Sequence, residues 1–440
     1  MTSPFTPNTD HQRQLMLSAI GAESLEDLFE DIPVSHRNPR LDLPPAMSEL
    51  DLNLHASKLA AVNADAGQYS SFIGAGSYWH HIPAIVNSIS SRGEFMTAYT
   101  PYQPEVSQGT LQAAYEFQSM VCQLTGMDVA NAGMYDGSTS ISEAALMACR
   151  VTRRDRVAIL NSVSPLYRDV LDTYVQAPGL ARDEISSFNP SLSEGTACLI
   201  VQQPNFYGYM EDLQALSRIA HEAGALLVVS VDPMSLGMFK PPSDYGADIV
   251  VAEGQSMGIP MSYGGPYVGL FACRQEYVRQ MPGRIVGKTV DTLGKEAYVL
   301  TLQAREQHIR RERATSNICT SVALISLMFT VYVAAMGKQG IKKVSELCYH
   351  KAHYAASLIN DIPGYSLLSF GNGTFFREFV VQCPRPPAEI NEVLFNRKII
   401  GGLDISEQVD RGLLVCVTEM NTKDDIDALV KALTDVGGIQ

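Results

Sequence analysis

Tyr99, Tyr102, Gln103 and Glu105 cluster in a loop, Thr100-Pro101-Tyr102-Gln103-Pro104-Glu105, that two prolines stiffen. A backbone so restricted presents its side chains with little ordering cost. A phenol there can hydrogen-bond a ligand, and a carboxylate can hold a protonated amine. The same residues would also cap and pack the start of a helix near Gln108. Further on, Thr315, Ser316 and Asn317 follow Arg310, Arg311 and Arg313. Small donors beside positive charge suit a phosphate, and they equally suit a solvated helix face that ends in a polar turn. His80 and His81, after Trp79, could stack or relay protons, although such a pair more often has one core-bonded and one exposed ring.

Those residues need a large scaffold, and the composition provides one. Of 440 residues, 46% are hydrophobic and 18% charged, which is a folded chain with a sizeable core. A formal net charge of -14 opposes attraction to nucleic acid or to an anionic membrane. The N-terminus, MTSPFTPNTDHQRQ, lacks the basic start and apolar core of an export signal. No later run approaches the ~20 apolar residues that span a bilayer, so a cytoplasmic location is expected. Eight cysteines are scattered singly, without the clustering of a zinc site, and are expected to be reduced and buried; no metal is expected.

Leu15, Ile20, Leu25, Leu28 and Phe29 predict one or two short amphipathic helices over 14–29, with a proline-bearing arm over 34–45. Between residues 156 and 274 the runs RVAIL, ACLIVQQP, ALLVVSVDP, ADIVVAEG and YVGLFACR alternate with helical stretches. Near-continuous apolar runs of that kind read as mostly parallel strands covered on both faces. An apolar helix over 321–336 and a smaller helix-and-strand region follow. The expected division is a helical arm (1–60), a large α/β domain (61–325) and a small α/β domain (326–440).

One class with this arrangement is the aspartate-aminotransferase-like (fold type I) group of pyridoxal-phosphate enzymes, an analogy of fold alone. Such an enzyme needs a phosphate cradle at a helix N-terminus, an Asp for the pyridine nitrogen and a Lys for the Schiff base. Tyr135-Asp136-Gly137-Ser138-Thr139 sits at the cradle position, but Asp136 would repel a phosphate, and Ser140 with Glu143 fits a simple capping box. Asp232 ends its strand where the pyridine Asp is expected. The lysine is missing: the chain reads Gly254-Gln255-Ser256-Met257-Gly258, with none between Lys240 and Lys288. The fold is expected without its own Schiff-base residue.

At five places in order the chain resembles one family: GAGSYWHHIP (74–83), AYTPYQPEVSQGTLQAAYEFQSMV (98–121), PNFYGYMED (204–212), GQSMGIPMSYGGPYVGLFA (254–272) and the 287–320 run ending RRERATSNICT. These look like segments of glycine dehydrogenase (decarboxylating), the P-protein of the glycine cleavage system, in its lysine-lacking N-terminal-type subunit. The resemblance implies a partner subunit that binds pyridoxal phosphate covalently, two copies of each chain, and loss of the glycine carboxyl as carbon dioxide. The aminomethyl group would then pass to the lipoyl arm of H-protein. Tyr102 and Glu105 would complete the partner's site, and Thr315, Ser316 and Asn317 would reach its cofactor phosphate. Two other readings stand beside it: an independent enzyme using Lys288 or Lys240, and a non-catalytic scaffold for lipoyl-protein docking.

Overall fold

The computed structural model describes residues 8–371 and 373–437. Residues up to 64 form a unit of their own, and the rest of the chain forms a second. In the first unit, helix α1 (Asp10–Ala19) starts on a capping box in which Thr9 and Gln12 bond each other's backbone amides. Helix α2 (Glu49–Ala60) is capped by Ser48. Neither helix buries a residue, and Leu15, Ile20, Leu28, Phe29, Leu50 and Leu54 stay exposed. The helical pattern expected over 14–29 thus becomes α1 plus a 3-10 turn at Glu26–Phe29, because the capping box sets the helix start earlier.

The second unit is built on a seven-stranded sheet: β1 (Val129–Ala130), β2 (Arg156–Leu160), β3 (Ala181–Ile185), β4 (Thr196–Gln203), β5 (Leu226–Val231), β6 (Ile249–Glu253) and β7 (Gly269–Cys273). Their order is β1-β7-β6-β5-β4-β2-β3. All pairs are parallel except those made by β7. The central strands are buried on both faces, Leu227, Val228 and Val229 completely, as continuous apolar runs demand. Helices α3 (Gln108–Thr125), α4 (Gly137–Thr152), α5 (Pro165–Gln176) and α6 (Leu213–Glu222) belong to this layer. A hairpin, β8 (Ile285–Val290) with β9 (Glu296–Thr301), is fastened to α3 by two side-chain amides. Gln118 bonds both backbone groups of Val286, and Gln108 both of Tyr298.

A second core lies around the smaller sheet of β10 (Ser366–Leu368), β11 (Glu378–Gln382), β12 (Leu403–Asp404) and β13 (Gly412–Cys416). Helix α7 (Ala323–Asn360) serves both cores. Phe329, Tyr332 and Val344 pack in the first, and Ala352, Ala355 and Ile359 in the second. The expected helix over 321–336 is only its first half: Gly337 takes φ +57° and kinks the chain, and the helix resumes beyond it. By length and composition α7 is apolar enough to cross a membrane, contrary to the expectation that no run comes close. Its apolar face is instead used by the two cores.

Candidate functional site

The proline loop and the 315–320 segment meet on one surface. Arg284 Nη2 donates to the Tyr102 hydroxyl (3.2 Å) and to the Cys319 carbonyl (2.5 Å). The Tyr102 ring also packs on His308, with centroids 4.9 Å apart. The hydroxyls of Tyr99 and Thr320 lie 3.2 Å apart, and the Cys319 amide donates to the Tyr135 hydroxyl at 3.2 Å. Tyr102 is nevertheless 44% exposed. Glu105 is exposed and has no ion pair or hydrogen bond among the described residues, so its carboxylate is open to a ligand. Arg310, Arg311 and Arg313, which shortly precede Thr315 in sequence, are exposed.

Of the three expected phosphate donors, Asn317 is exposed and Thr315 is held by its backbone amide, which donates to the Arg305 carbonyl at 2.9 Å. Ser316 is different. Its hydroxyl donates to the buried Glu143 carboxylate at 2.7 Å and accepts the Ile318 amide at 3.2 Å, so it anchors the segment within this chain.

The place where the fold would seat a cofactor is a small cavity lined by Tyr78, Tyr167, Asp232, Glu253 and Glu378, three of them carboxylates. At the start of α4, Asp136 accepts the Thr139 amide (2.7 Å), and the Gly137 amide donates to Glu253 Oε2 (2.9 Å). Two carboxylates thus occupy the end of the helix that would attract a phosphate. Burial pushes the Glu253 carboxyl up to about 8, above what its backbone amide donors can offset. Asp232 forms an ion pair with Arg377 Nη2 at 2.6 Å. That guanidinium is 1% exposed and lies over the Tyr78 ring, 3.4 Å from its centroid. Arg377 also donates to His80 Nε2, while His80 Nδ1 donates to Glu419 Oε2 at 2.6 Å. Glu419 accepts the His81 amide as well. Its carboxyl is held down to about 2, where the bonds from His80 outweigh burial. Where the lysine is expected, Gln255 bonds the amide and carbonyl of Tyr78.

These residues do not fit pyridoxal phosphate. No amine is present, Asp232 already has a cationic partner, and the phosphate seat is negative. Nor is the buried cluster a metal centre, although His80, Cys348 and Glu419 lie within reach of one ion. Both His80 nitrogens are already bonded, and Arg377 would repel a cation. All eight cysteines are free thiols, of which Cys319 alone is exposed. Lys288 lies on the hairpin, half exposed and paired with Glu296, which raises its pKa; a Schiff-base lysine needs the opposite shift. Lys240 is exposed outside the slot.

Raising Glu253 has a consequence for stability. Its folded value lies above the ordinary 4.5, so the fold favours the neutral carboxyl. That contribution is complete below the ordinary value and is lost as pH rises through about 8. The melting temperature should therefore fall between about pH 4.5 and about pH 8 and level off above that, and Glu253→Gln should flatten the fall. An equal fall in the variant would show that Glu253 ionises without cost.

Sequence reasoning missed Arg284, Arg377 and Glu253, and it read Glu143 as the capping partner of Ser140, whereas α4 starts on a capping box of Asp136 and Thr139 and Glu143 accepts the Ser316 hydroxyl. Arg377 left a signal: it interrupts the apolar run FFREFVV, where a charge is tolerated only if it is paired.

The family model described as glycine cleavage system P-protein matches residues 3–433. The chain belongs to the glycine cleavage system P-protein family. Among curated P-protein relatives, one from Thermomicrobium roseum named probable glycine dehydrogenase (decarboxylating) subunit 1 is 51% identical, covering 98% of this chain and 99% of the relative. A relative of the same name from Desulfitobacterium hafniense is 49% identical over the same shares. A crystal structure of glycine decarboxylase (P-protein), in inhibitor-bound form, superposes with a TM-score of 0.93 at 42% identity, covering 99% of this chain and 100% of that one. A sphingosine-1-phosphate lyase from Burkholderia pseudomallei, at 17% identity and TM-score 0.66 over 91% and 93% of the two chains, shares the fold only. This P-protein chain thus has the α/β fold expected, that of fold type I pyridoxal-phosphate enzymes.

Proposed function

We propose that this chain is the subunit of a heteromeric glycine decarboxylase that holds no cofactor of its own and completes the site of a pyridoxal-phosphate-bearing partner. The observation that carries the proposal is the lining of the slot: Arg377 on Asp232, Glu253 on the α4 N-terminus and Gln255 where a lysine is expected. Pyridoxal phosphate, when bound in the partner, supplies the electron sink for loss of the glycine carboxyl. This chain's part is positioning. Glu105 holds the glycine ammonium, Tyr102 is oriented toward the substrate by Arg284, and Thr315 and Asn317 reach the partner's phosphate. The complex is read as two copies of each chain, cytoplasmic, passing its aminomethyl product to lipoylated H-protein.

Purified alone, the chain should be colourless and should neither decarboxylate glycine nor exchange its carboxyl with bicarbonate; mixed with the lysine-bearing subunit it should do both. Exchange activity in rigorously partner-free protein would sink the reading.

The first unit supplies a second test. Its helices carry Leu15, Ile20, Leu50 and Leu54 with nothing of their own to bury, the character of an obligate interface, which commonly exceeds about 2,000 Å². Removal of the first 45 residues should therefore weaken association with the partner by at least roughly a hundredfold, measured by analytical ultracentrifugation. Unchanged association would mean that the arm has another role.

A further inference from the structure

Helix α7 begins beside a small hollow that shares Arg284 and Tyr99 with the loop surface but holds none of the residues assigned to substrate or cofactor. Phe95, Ala98, Pro101, Ala113, Ala114 and Leu327 give it apolar walls. Three polar features face this space. The N-terminus of α7 has no side-chain cap: the Ala323 amide donates to the Ser321 carbonyl at 2.9 Å, but the Leu324 and Ile325 amides lack the acceptor that a Ser or Asp would provide. Ser326, 4% exposed, lines the hollow with a hydroxyl that has no hydrogen-bond partner among the described residues. Arg284, 5% exposed, lines it as well, and its Nε makes no hydrogen bond. Buried donors are rarely left without acceptors, and here the Ser326 hydroxyl is one, with a guanidinium and an uncapped helix terminus beside it.

The charge balance favours an anion. Glu306 Oε2 stands 3.4 Å from Arg284 Nε, but it does not line the hollow. It also shares its charge with His308 at 3.6 Å and with Arg305 nearby. The helix terminus and part of the guanidinium charge are left facing the space. Size and walls narrow the class further. The hollow offers about 40 Å³ to the centres of water-sized groups. Roughly 10 to 15 Å³ by that measure holds one water, so about three or four heavy atoms fit inside, with any remainder at the mouth. Alanine walls exclude a fully hydrated ion such as phosphate, and the guanidinium disfavours a second, positive group on the ligand.

We propose that this hollow binds a short aliphatic monocarboxylate, of about two to four carbons, with its carboxylate on Ser326, Arg284 and the Leu324 and Ile325 amides of α7 and its chain against Ala113 and Ala114. The inference does not rest on the catalytic reading, and its test involves no turnover. Full-length protein without the partner is titrated calorimetrically with propionate, propionamide, glycine and inorganic phosphate at constant ionic strength. Propionate should bind saturably, one per chain, and the other three at least roughly tenfold more weakly, because only propionate combines the charge with an apolar body. Ser326→Ala should weaken propionate by roughly tenfold, and Ala113→Leu, at a half-buried position, should abolish binding by filling the space while the circular dichroism spectrum is kept. Ala113→Leu carries the test should Ser326→Ala fail to fold. Three results would overturn the proposal: no saturable propionate binding, propionate binding unaffected by the variants that fold, or phosphate, glycine or propionamide binding as tightly as propionate.

Discussion

Glu105→Gln should slow glycine decarboxylation about a hundredfold in complexes that keep both subunits and the cofactor, a loss of about 2.7 kcal/mol in the transition state. Glu105 is exposed and has no partner in its own chain, so the change removes charge and keeps shape without disturbing the fold. The loop around it is also held in place. Tyr102 donates its amide to Thr100, and Ser107 donates to Pro104, at 2.9 and 3.3 Å. A carboxylate meeting an ammonium makes a charge-assisted hydrogen bond that an amide cannot match. Tyr102→Phe should act in the same direction more weakly, through loss of one neutral hydrogen bond of about 0.5 to 1.5 kcal/mol. In that variant Arg284 Nη2 keeps only its bond to Cys319. The assay is carbon dioxide release with H-protein, on complexes first shown to retain both chains. Near-normal turnover in both variants would leave the loop as a helix cap and the chain as a scaffold.

Arg377→Met should destabilise the chain by about 3 to 5 kcal/mol, the usual result of removing one member of a buried ion pair. Asp232 would lose its counter-charge, and His80 would lose the donor that holds its ring toward Glu419. Replacing both partners, as Arg377→Met with Asp232→Leu, should recover much of the loss, since an apolar pair of similar volume is often neutral or stabilising. Denaturant midpoints of the two singles and the double give the coupling directly. Purely additive effects would mean that the pair does not fasten the two cores together.

How much of this was legible depended on how local each cause is. The five inner strands read correctly because burial on both faces writes an uninterrupted apolar run, as in ALLVVSVDP, whereas the edge strands β1 and β3 carry no such run and went unread. Gln255 in the lysine position and Asp136 at the cradle were readable because each occupies a fixed place at the end of a strand or the start of a helix. The pairings around the slot were not. Arg377 meets His80 across 297 positions of sequence, and no local pattern records such a contact. Ser316 shows the same limit: it read as a free donor, yet its hydroxyl belongs to Glu143, 173 positions earlier. Helix α7 ended too soon in the reading because Gly337 breaks the apolar run, although the chain turns helical again at once.

The charged lining of the slot also bears on how the protein matures. An apoenzyme of this fold keeps a polar cavity open until its vitamin-derived cofactor arrives, and it gains stability from that binding. Here Arg377 on Asp232 and Glu253 on the α4 N-terminus line that place from the moment the chain folds, since both are encoded in it. On the proposed reading the subunit would reach its folded form regardless of vitamin B6 supply, and a shortage would be felt through the other chain.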